Sequence, residues 1–195
     1  MSVETPRDNA SRGDQPRIGI PRELRTQRLL LRVWRGADAD ELRPILLANQ
    51  DHLSPWIPET SYSAPPLPQL AERLEEFASR FDEGVAFRYA LRDARDERII
   101  GGMSLFPRDE TSRVPLPDAD RMEIGYWLDR AMTGQGLVTE AVQSLVDVAR
   151  TMPNAGSVEI HCHRDNAPSN GVPRRLGYEL TGTHGEMQVW RKALK

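Results

Sequence analysis

Cysteine is nearly absent. One thiol in 195 residues allows no intrachain disulfide, so stability must come from a packed core, which a chain of this length can supply. A lone thiol fits a reducing compartment, and the cytoplasm is the expected location. Long apolar runs are missing: no stretch approaches the roughly 18 residues that span a bilayer. The opening segment, MSVETPRDNASRGDQPR, lacks the apolar run of a secretory signal. An excess of one charge is missing as well. With 26 Lys+Arg against 29 Asp+Glu and a net charge of −3, there is no bulk attraction to nucleic acid or to an anionic membrane. These numbers argue against membrane, secreted and fibrous classes.

What is present is ordinary globular material, 38% hydrophobic and 28% charged, in an amount that suits one domain. Residues 1–21 offer little that can enter a core, only Met1, Val3, Ala10, Ile18 and Ile20, and read as a flexible tail. Residues 22–195 read as a single domain. Leu29, Leu31 and Val33 alternate within a strand. ADADELRPILLANQ is helical and interrupted by Pro44. A proline-rich segment, DHLSPWIPETSYSAPPLP, is too irregular for a regular element. Leu67, Leu70, Leu74, Phe77 and Phe81 then form one face of an amphipathic helix. AFRYALRD and RIIGGMSLF form a hairpin over a short charged turn. EIGYWL (Glu123 to Leu128) is a strand, GQGLVTEAVQSLVDVART turns helical, SVEIHCH is a strand, and APSNGVPRRLG is a short helix. YELTGT and MQVWRKAL close the chain as strands. The order β-α-α-β-β-β-α-β-α-β-β makes a mixed α/β domain of about seven strands and four helices, with no repeat and no second core.

The stretch EIGYWLDRAMTGQGLVTEA carries the most chemistry. A strand runs into a turn with Gly134 and Gly136, and a helix starts at once. Glycines permit close backbone approach. The first-turn N–H groups of the helix lack partners and point outward with the positive end of the helix dipole, a ready site for a phosphate or pyrophosphate. No third glycine follows at the dinucleotide-fold spacing and no Gly-Lys-Ser/Thr follows either, so the common nucleotide motifs do not apply. In NAPSNGVPRRLGY, Asn166 and Ser169 either cap the short helix or face a ligand.

EIGYWL, TGQGLVTEA and NAPSNGVPRRLGY, in that order, resemble the GCN5-related N-acetyltransferase (GNAT) superfamily, in its RimJ/RimL-like ribosomal-protein branch; TQRLLLR and HLSPWIP add to the likeness. The resemblance covers about residues 24–195. It implies a mixed, centrally splayed sheet and an acetyl-CoA-dependent N-acetyltransferase without a metal. It implies that Gly134, Gln135, Gly136, Leu137 and Val138 offer N–H groups to the pyrophosphate. Trp127 and Leu128 then hold the pantetheine arm and polarise the thioester. Asn166 matches a CoA-side asparagine, and Ser169 the acid that reprotonates the thiolate. Two features depart from the pattern: Ala131 stands where the family prefers Gln or Arg, and the closing hairpin TGTHGEMQ is short.

Direct attack by a neutral amine needs a proton acceptor and donors for the oxyanion. Glu123 and Glu186 are the candidate bases. Each also has a plainer reading, Glu123 as a carboxylate paired with arginine and Glu186 as a solvated turn residue. The acceptor is a primary amine, either a protein N-terminus or a small molecule such as a polyamine, amino acid or antibiotic. A non-catalytic acyl-CoA-binding module is the competing class. A homodimer is expected, with Trp56 in the apolar LSPWIP segment lining a cleft or an interface. His161 and His163 share a strand face without an evident third metal ligand. Cys162 reads as buried and inert. The arginines at 22, 25, 28, 32 and 35 read as a solvated face.

Overall fold

Runs of alternating apolar residues build one eight-stranded sheet, and the helices between them cover both its faces. The computed structural model describes residues 19–194. β1 (Glu23–Arg25) and β2 (Leu29–Val33) begin the sheet, followed by α1 (Ala39–Leu53), α2 (Glu59–Tyr62) and α3 (Leu67–Asp82). An antiparallel meander follows, formed by β3 (Phe87–Asp93), β4 (Ile99–Arg108) and β5 (Arg121–Leu128). α4 (Leu137–Arg150) then crosses back to β6 (Ser157–His163), which runs parallel to β5. α5 (Ala167–Arg175), β7 (Glu179–His184) and β8 (Met187–Ala193) complete the order β1-β2-β3-β4-β5-β6-β8-β7.

The expected strands and helices are all present, with two additions. β1 is three residues long, too short to show alternation, and exists by pairing with β2. α2 is a single turn inside the proline-rich segment, closed by the Ser63 N–H on the Glu59 carbonyl at 2.8 Å. One turn cannot show a helical period. Pro44 does not interrupt α1, which runs through it. The ring removes one backbone donor, and the buried Leu42 and Leu46 on either side keep the helix docked. The expected tail lies, for residues 1–18, outside the described residues. Beyond it, Ile20 is buried, and the Pro21 carbonyl accepts a bond from the Tyr89 hydroxyl at 2.9 Å.

The core is double rather than single, because both faces of the sheet are covered. One cluster joins Leu29, Leu31, Tyr89, Met103 and Ile124 to Val142 and Leu145 of α4. The other joins Trp34, Ala90 and Ile99 to Leu42 and Leu46 of α1 and Leu70 and Leu74 of α3.

One irregularity positions everything that follows. β5 and β6 pair only through Arg121–Glu123 and Ser157–Glu159. Beyond that, β5 stays with β4 up to Leu128, while β6 stays with β8 up to His163. The sheet therefore splays at its centre. At the closed end of the splay, Glu123 and Glu159 lie side by side in the register, both buried. Arginines neutralise them: Arg108 donates to Glu123 at 2.8 Å, and Arg191 donates to Glu159 at 2.9 Å.

Candidate active site

Where β5 and β6 part, a cleft of about 690 Å³ opens. Trp127, Leu128, Gly134, Gln135, Gly136, Leu137, Val138, Asn166 and Ser169 all line it. Glu123 and Glu186 do not. Trp56 lines the cleft as well, together with His52, Leu53 and Ile57 from the end of α1 and the turn after it.

One end of the cleft is the start of α4. Gly134 and Gly136 have φ of +76° and +74°, a left-handed conformation that glycine adopts without penalty. Gly136 is the N-cap residue and no side chain caps the helix. The first-turn N–H groups are thus left for a ligand, and they sit at the positive end of a 14-residue helix. The loop before them is braced from two sides. Asn49 of α1, itself buried, donates to Asp129 Oδ1 at 3.2 Å and accepts from the Arg130 N–H at 2.8 Å. Arg28 donates to the Gln135 carbonyl at 2.9 Å and to Glu140 at 2.7 Å.

Arg28 makes these bonds while staying on the exposed surface, as expected of a solvated face. Arg32 departs from that reading, since it is mostly buried and pairs with the buried Asp38 at 2.7 Å. Arg22 meets Asp82, and Arg25 meets Glu97 at 3.0 Å, on the exposed surface. Sequence reading missed Asn49 and the bracing role of Arg28 because both partners are distant in the chain. Arg175 was missed as well. It lines the cleft and donates to Thr139 Oγ1 at 3.1 Å, which places a cation beside the α4 terminus.

At the other end, Asn166 caps α5 by accepting the Ser169 N–H at 3.2 Å. Its capping and cleft-lining readings hold together. The Tyr126 hydroxyl lies 3.1 Å from Ser169 Oγ and 3.1 Å from the Ser169 carbonyl. Tyr126 also lines the cleft, and burial pushes its phenol well above the usual value, so it remains a donor. The residue is visible in EIGYWL, but nothing local points its ring at α5. Asn170 ties this region together: it accepts from Trp190 Nε1 at 2.9 Å and from Cys162 Sγ at 3.1 Å, and it donates to the His163 carbonyl at 2.8 Å. Burial pushes the Cys162 thiol up, which keeps it protonated.

The two candidate bases are engaged elsewhere. Glu123 is clamped between Arg108 and Arg113. Burial raises its pKa, but the Arg113 bond and nearby positive charge outweigh that, and the carboxyl sits below its ordinary value. Glu186 is exposed in the β7–β8 turn, where it accepts from His163 at 3.0 Å and pairs with Arg164 at 3.4 Å. Its pKa is lowered chiefly by the His163 bond. The His163 ring in turn packs 5.7 Å from that of Trp56. His161 is bound to Glu159 at 2.9 Å, so the two histidines face different carboxylates. No group of three or more potential metal ligands gathers among the described residues.

The family model described as "Acetyltransferase (GNAT) domain" matches residues 28–179. The chain is similar to the probable N-acetyltransferase YjcK of Bacillus subtilis, with 34% identity over 128 residues, 64% of this chain and 62% of that protein. It is 40% identical over 88 residues to the ribosomal-protein-serine acetyltransferase of Escherichia coli, covering 45% of each. These matches span less than two thirds of either relative. Among solved structures, the ribosomal alpha-N-protein acetyltransferase RimL in complex with coenzyme A superposes with a TM-score of 0.72 at 21% identity, covering 89% of this chain and 97% of that one. That likeness is one of overall fold.

Proposed function

The chain belongs to the GNAT acetyltransferase family, and from that premise we propose that it transfers an acetyl group from acetyl-CoA to a primary amine, with a protein N-terminus as the preferred acceptor. The observation that carries the reading is the uncapped start of α4 behind two left-handed glycines, at the mouth of a cleft made by parting strands. The N–H groups of Gly134 to Val138 take the pyrophosphate, with Arg175 beside them. Trp127, Leu128 and Asn166 border the pantetheine arm. The relative in Escherichia coli, named as an acetyltransferase for a ribosomal-protein serine, supports a protein acceptor and, with it, the cytoplasm. The absence of a strong positive charge supports a reaction without nucleic acid.

In a ternary complex the neutral amine attacks the thioester carbonyl, the C–S bond breaks, and the thiolate leaves. Ser169 returns a proton to sulfur and regains one from solvent, and the Tyr126 phenol, 3.1 Å from both the Oγ and the carbonyl of Ser169, orients it. The amine must lose a proton to a base. Three side chains compete for that role. We assign it to His52, because of the three only His52 lines the cleft. Glu123 is held by two arginines and Glu186 lies on an exposed turn.

His52→Gln is expected to lower kcat roughly 100-fold, with coenzyme A affinity nearly intact. Ser169→Ala is expected to cost less, because water can reprotonate a thiolate. Steady-state kinetics on His52→Gln, Glu123→Gln and Glu186→Gln checks the assignment. A kcat loss confined to one glutamate variant moves the base there. The acceptor is found by an acetyl-CoA consumption screen over peptides with free N-termini, polyamines, amino acids and aminoglycosides; no turnover with any amine overturns the proposed activity. A homodimer is part of the proposal, as an expectation from the sequence resemblance alone. Light scattering should then give twice the 22.1 kDa chain mass.

A further inference from the structure

On the opposite face of the sheet from α4, under α1 and α3, lies a second and much smaller cavity of about 60 Å³. It has room for a few waters or one carboxylate. Trp127 borders both this cavity and the large cleft. The floor is made of small residues. Arg88 of β3 stands beside Ser104 of β4, which stands beside Gly125 of β5, and Gly102 lies under Trp127. A Cβ at Gly102 would come within 2.4 Å of the Trp127 indole nitrogen, so the glycine is what lets the indole lie there.

The charges in this cavity are unbalanced. The Arg88 side chain makes no hydrogen bond and no ion pair among the described residues, and its Nε is buried without a partner. Its guanidinium stacks 4.3 Å from the centre of the Phe77 ring and 5.2 Å from that of Phe106. Arg73, on the same cavity, holds the end of α2 by donating to the Ser63 carbonyl at 2.9 Å, yet its Nε is also buried and unpartnered. Glu76 is the nearby carboxylate, set against Arg73, Arg80 and Arg113. Burial first, and then these like charges, push Arg88 down to about 10. An unpaired, part-buried cation between two rings is costly. A planar guanidinium fork is also the donor best matched to a carboxylate.

Building on the acetyltransferase reading, we propose that this cavity is the acceptor's recognition subsite: Arg88, backed by Arg73, binds a carboxylate carried by the amine substrate, across Trp127 from the thioester. The acceptor is then an acidic amine, such as a peptide N-terminus with Asp or Glu within its first residues. Arg88 acts as a specificity residue and takes no part in bond making.

Calorimetry on the coenzyme A-loaded protein tests this without requiring turnover. The probes are C-terminally amidated tetrapeptides, Ser-Ala-Ala-Ala with a single Glu placed at position one, two or three, each matched by its Gln counterpart. At least one Glu peptide is expected to bind 10-fold or more tighter than its Gln match. Arg88→Gln should erase that difference, and Arg88→Lys should keep part of it. Coenzyme A affinity measured on the same variants reports whether the fold and the cleft survive. Equal binding of all Glu and Gln pairs overturns the proposal, and so does a preference that persists in Arg88→Gln. A phosphoserine peptide that binds more tightly than every Glu peptide replaces the carboxylate with a phosphate. If peptides bind with the expected preference but no amine of any kind is acetylated, the subsite stands and the proposed activity falls.

Discussion

Gly136→Asp is expected to abolish coenzyme A binding, a loss of roughly 100-fold or more, in a protein that still folds. Three effects act together. The backbone at this position has φ of +74°, and a residue with a Cβ is strained there by about 1–2 kcal/mol. Space is not the obstacle, since the closest atom to an added Cβ is Arg28 Nη2 at 3.9 Å. The second effect is competition. Aspartate is a favoured N-cap residue whose carboxylate accepts from the N–H groups of the first turn, the same donors proposed for the pyrophosphate. The third is repulsion between that carboxylate and the ligand's negative charge. Competition and repulsion weaken binding, whereas the capping bond and a negative charge at the helix N-terminus stabilise the helix, so the variant remains folded. Gly136→Ala separates the contributions, because it keeps the strain and removes the charge, and it should lose far less affinity. Isothermal calorimetry with coenzyme A reads both. Unchanged affinity in a folded Gly136→Asp protein would mean that the pyrophosphate sits elsewhere.

Glu159→Gln is expected to destabilise the protein by about 3–5 kcal/mol, a large share of the roughly 5–15 kcal/mol that holds a typical domain together. Glu159 is 3% exposed. It accepts from Arg191 at 2.9 Å and His161 at 2.9 Å, and it pairs with Arg121 at 3.4 Å and Arg108 at 3.7 Å. An amide of the same shape leaves those arginines without their shared counter-charge. The same residue predicts the pH dependence. Burial raises the Glu159 pKa, but bonds from His161 and Arg191 and the surrounding positive charge outweigh it, and the carboxyl falls to about 2. The folded pKa thus lies below the unfolded one. The stabilisation is complete above about pH 4.3, the usual glutamate value, and is lost as the pH falls from there to about 2. Urea midpoints at pH 7, 5 and 3 should show the gap between wild type and Glu159→Gln narrowing towards pH 3. An unchanged midpoint at pH 7 would mean that the ion cluster at the base of the splay does not hold β5 and β6 together.

Much of this molecule is legible along the chain because its signals are local. Gly134 and Gly136 announce a helix start, since a left-handed turn and free N–H groups depend only on neighbouring residues. Alternation placed Glu123 on its strand, and three- and four-residue spacing placed α3 and α4. Asn166 at the head of α5 reads as both cap and cleft residue, and both hold. The order of motifs carried the family. The elements that escaped were too short for any period, as in β1 and α2, or ran against a single-residue signal, as where neighbouring buried leucines carry α1 through Pro44.

What only the tertiary structure decided is which side chains meet. Arg28 reaches Glu140 from 112 positions away, Asn49 reaches Asp129 from 80, and Tyr126 reaches Ser169 from 43. A strand pattern says that Glu123 and Trp127 share a face. It does not say that Arg108 and Arg113 will clamp the one while the other divides two cavities. Those outcomes depend on where β5 leaves β6, and at that point paired charges from β4, β5, β6 and β8 meet. Periodicity and capping are properties of a few consecutive residues, so the sequence alone determined the elements and the glycine turn at the head of α4. The depth of the cleft, the burial of Glu123 and the unpaired state of Arg88 depend on desolvation and long-range pairing, which exist only when the sheet has assembled.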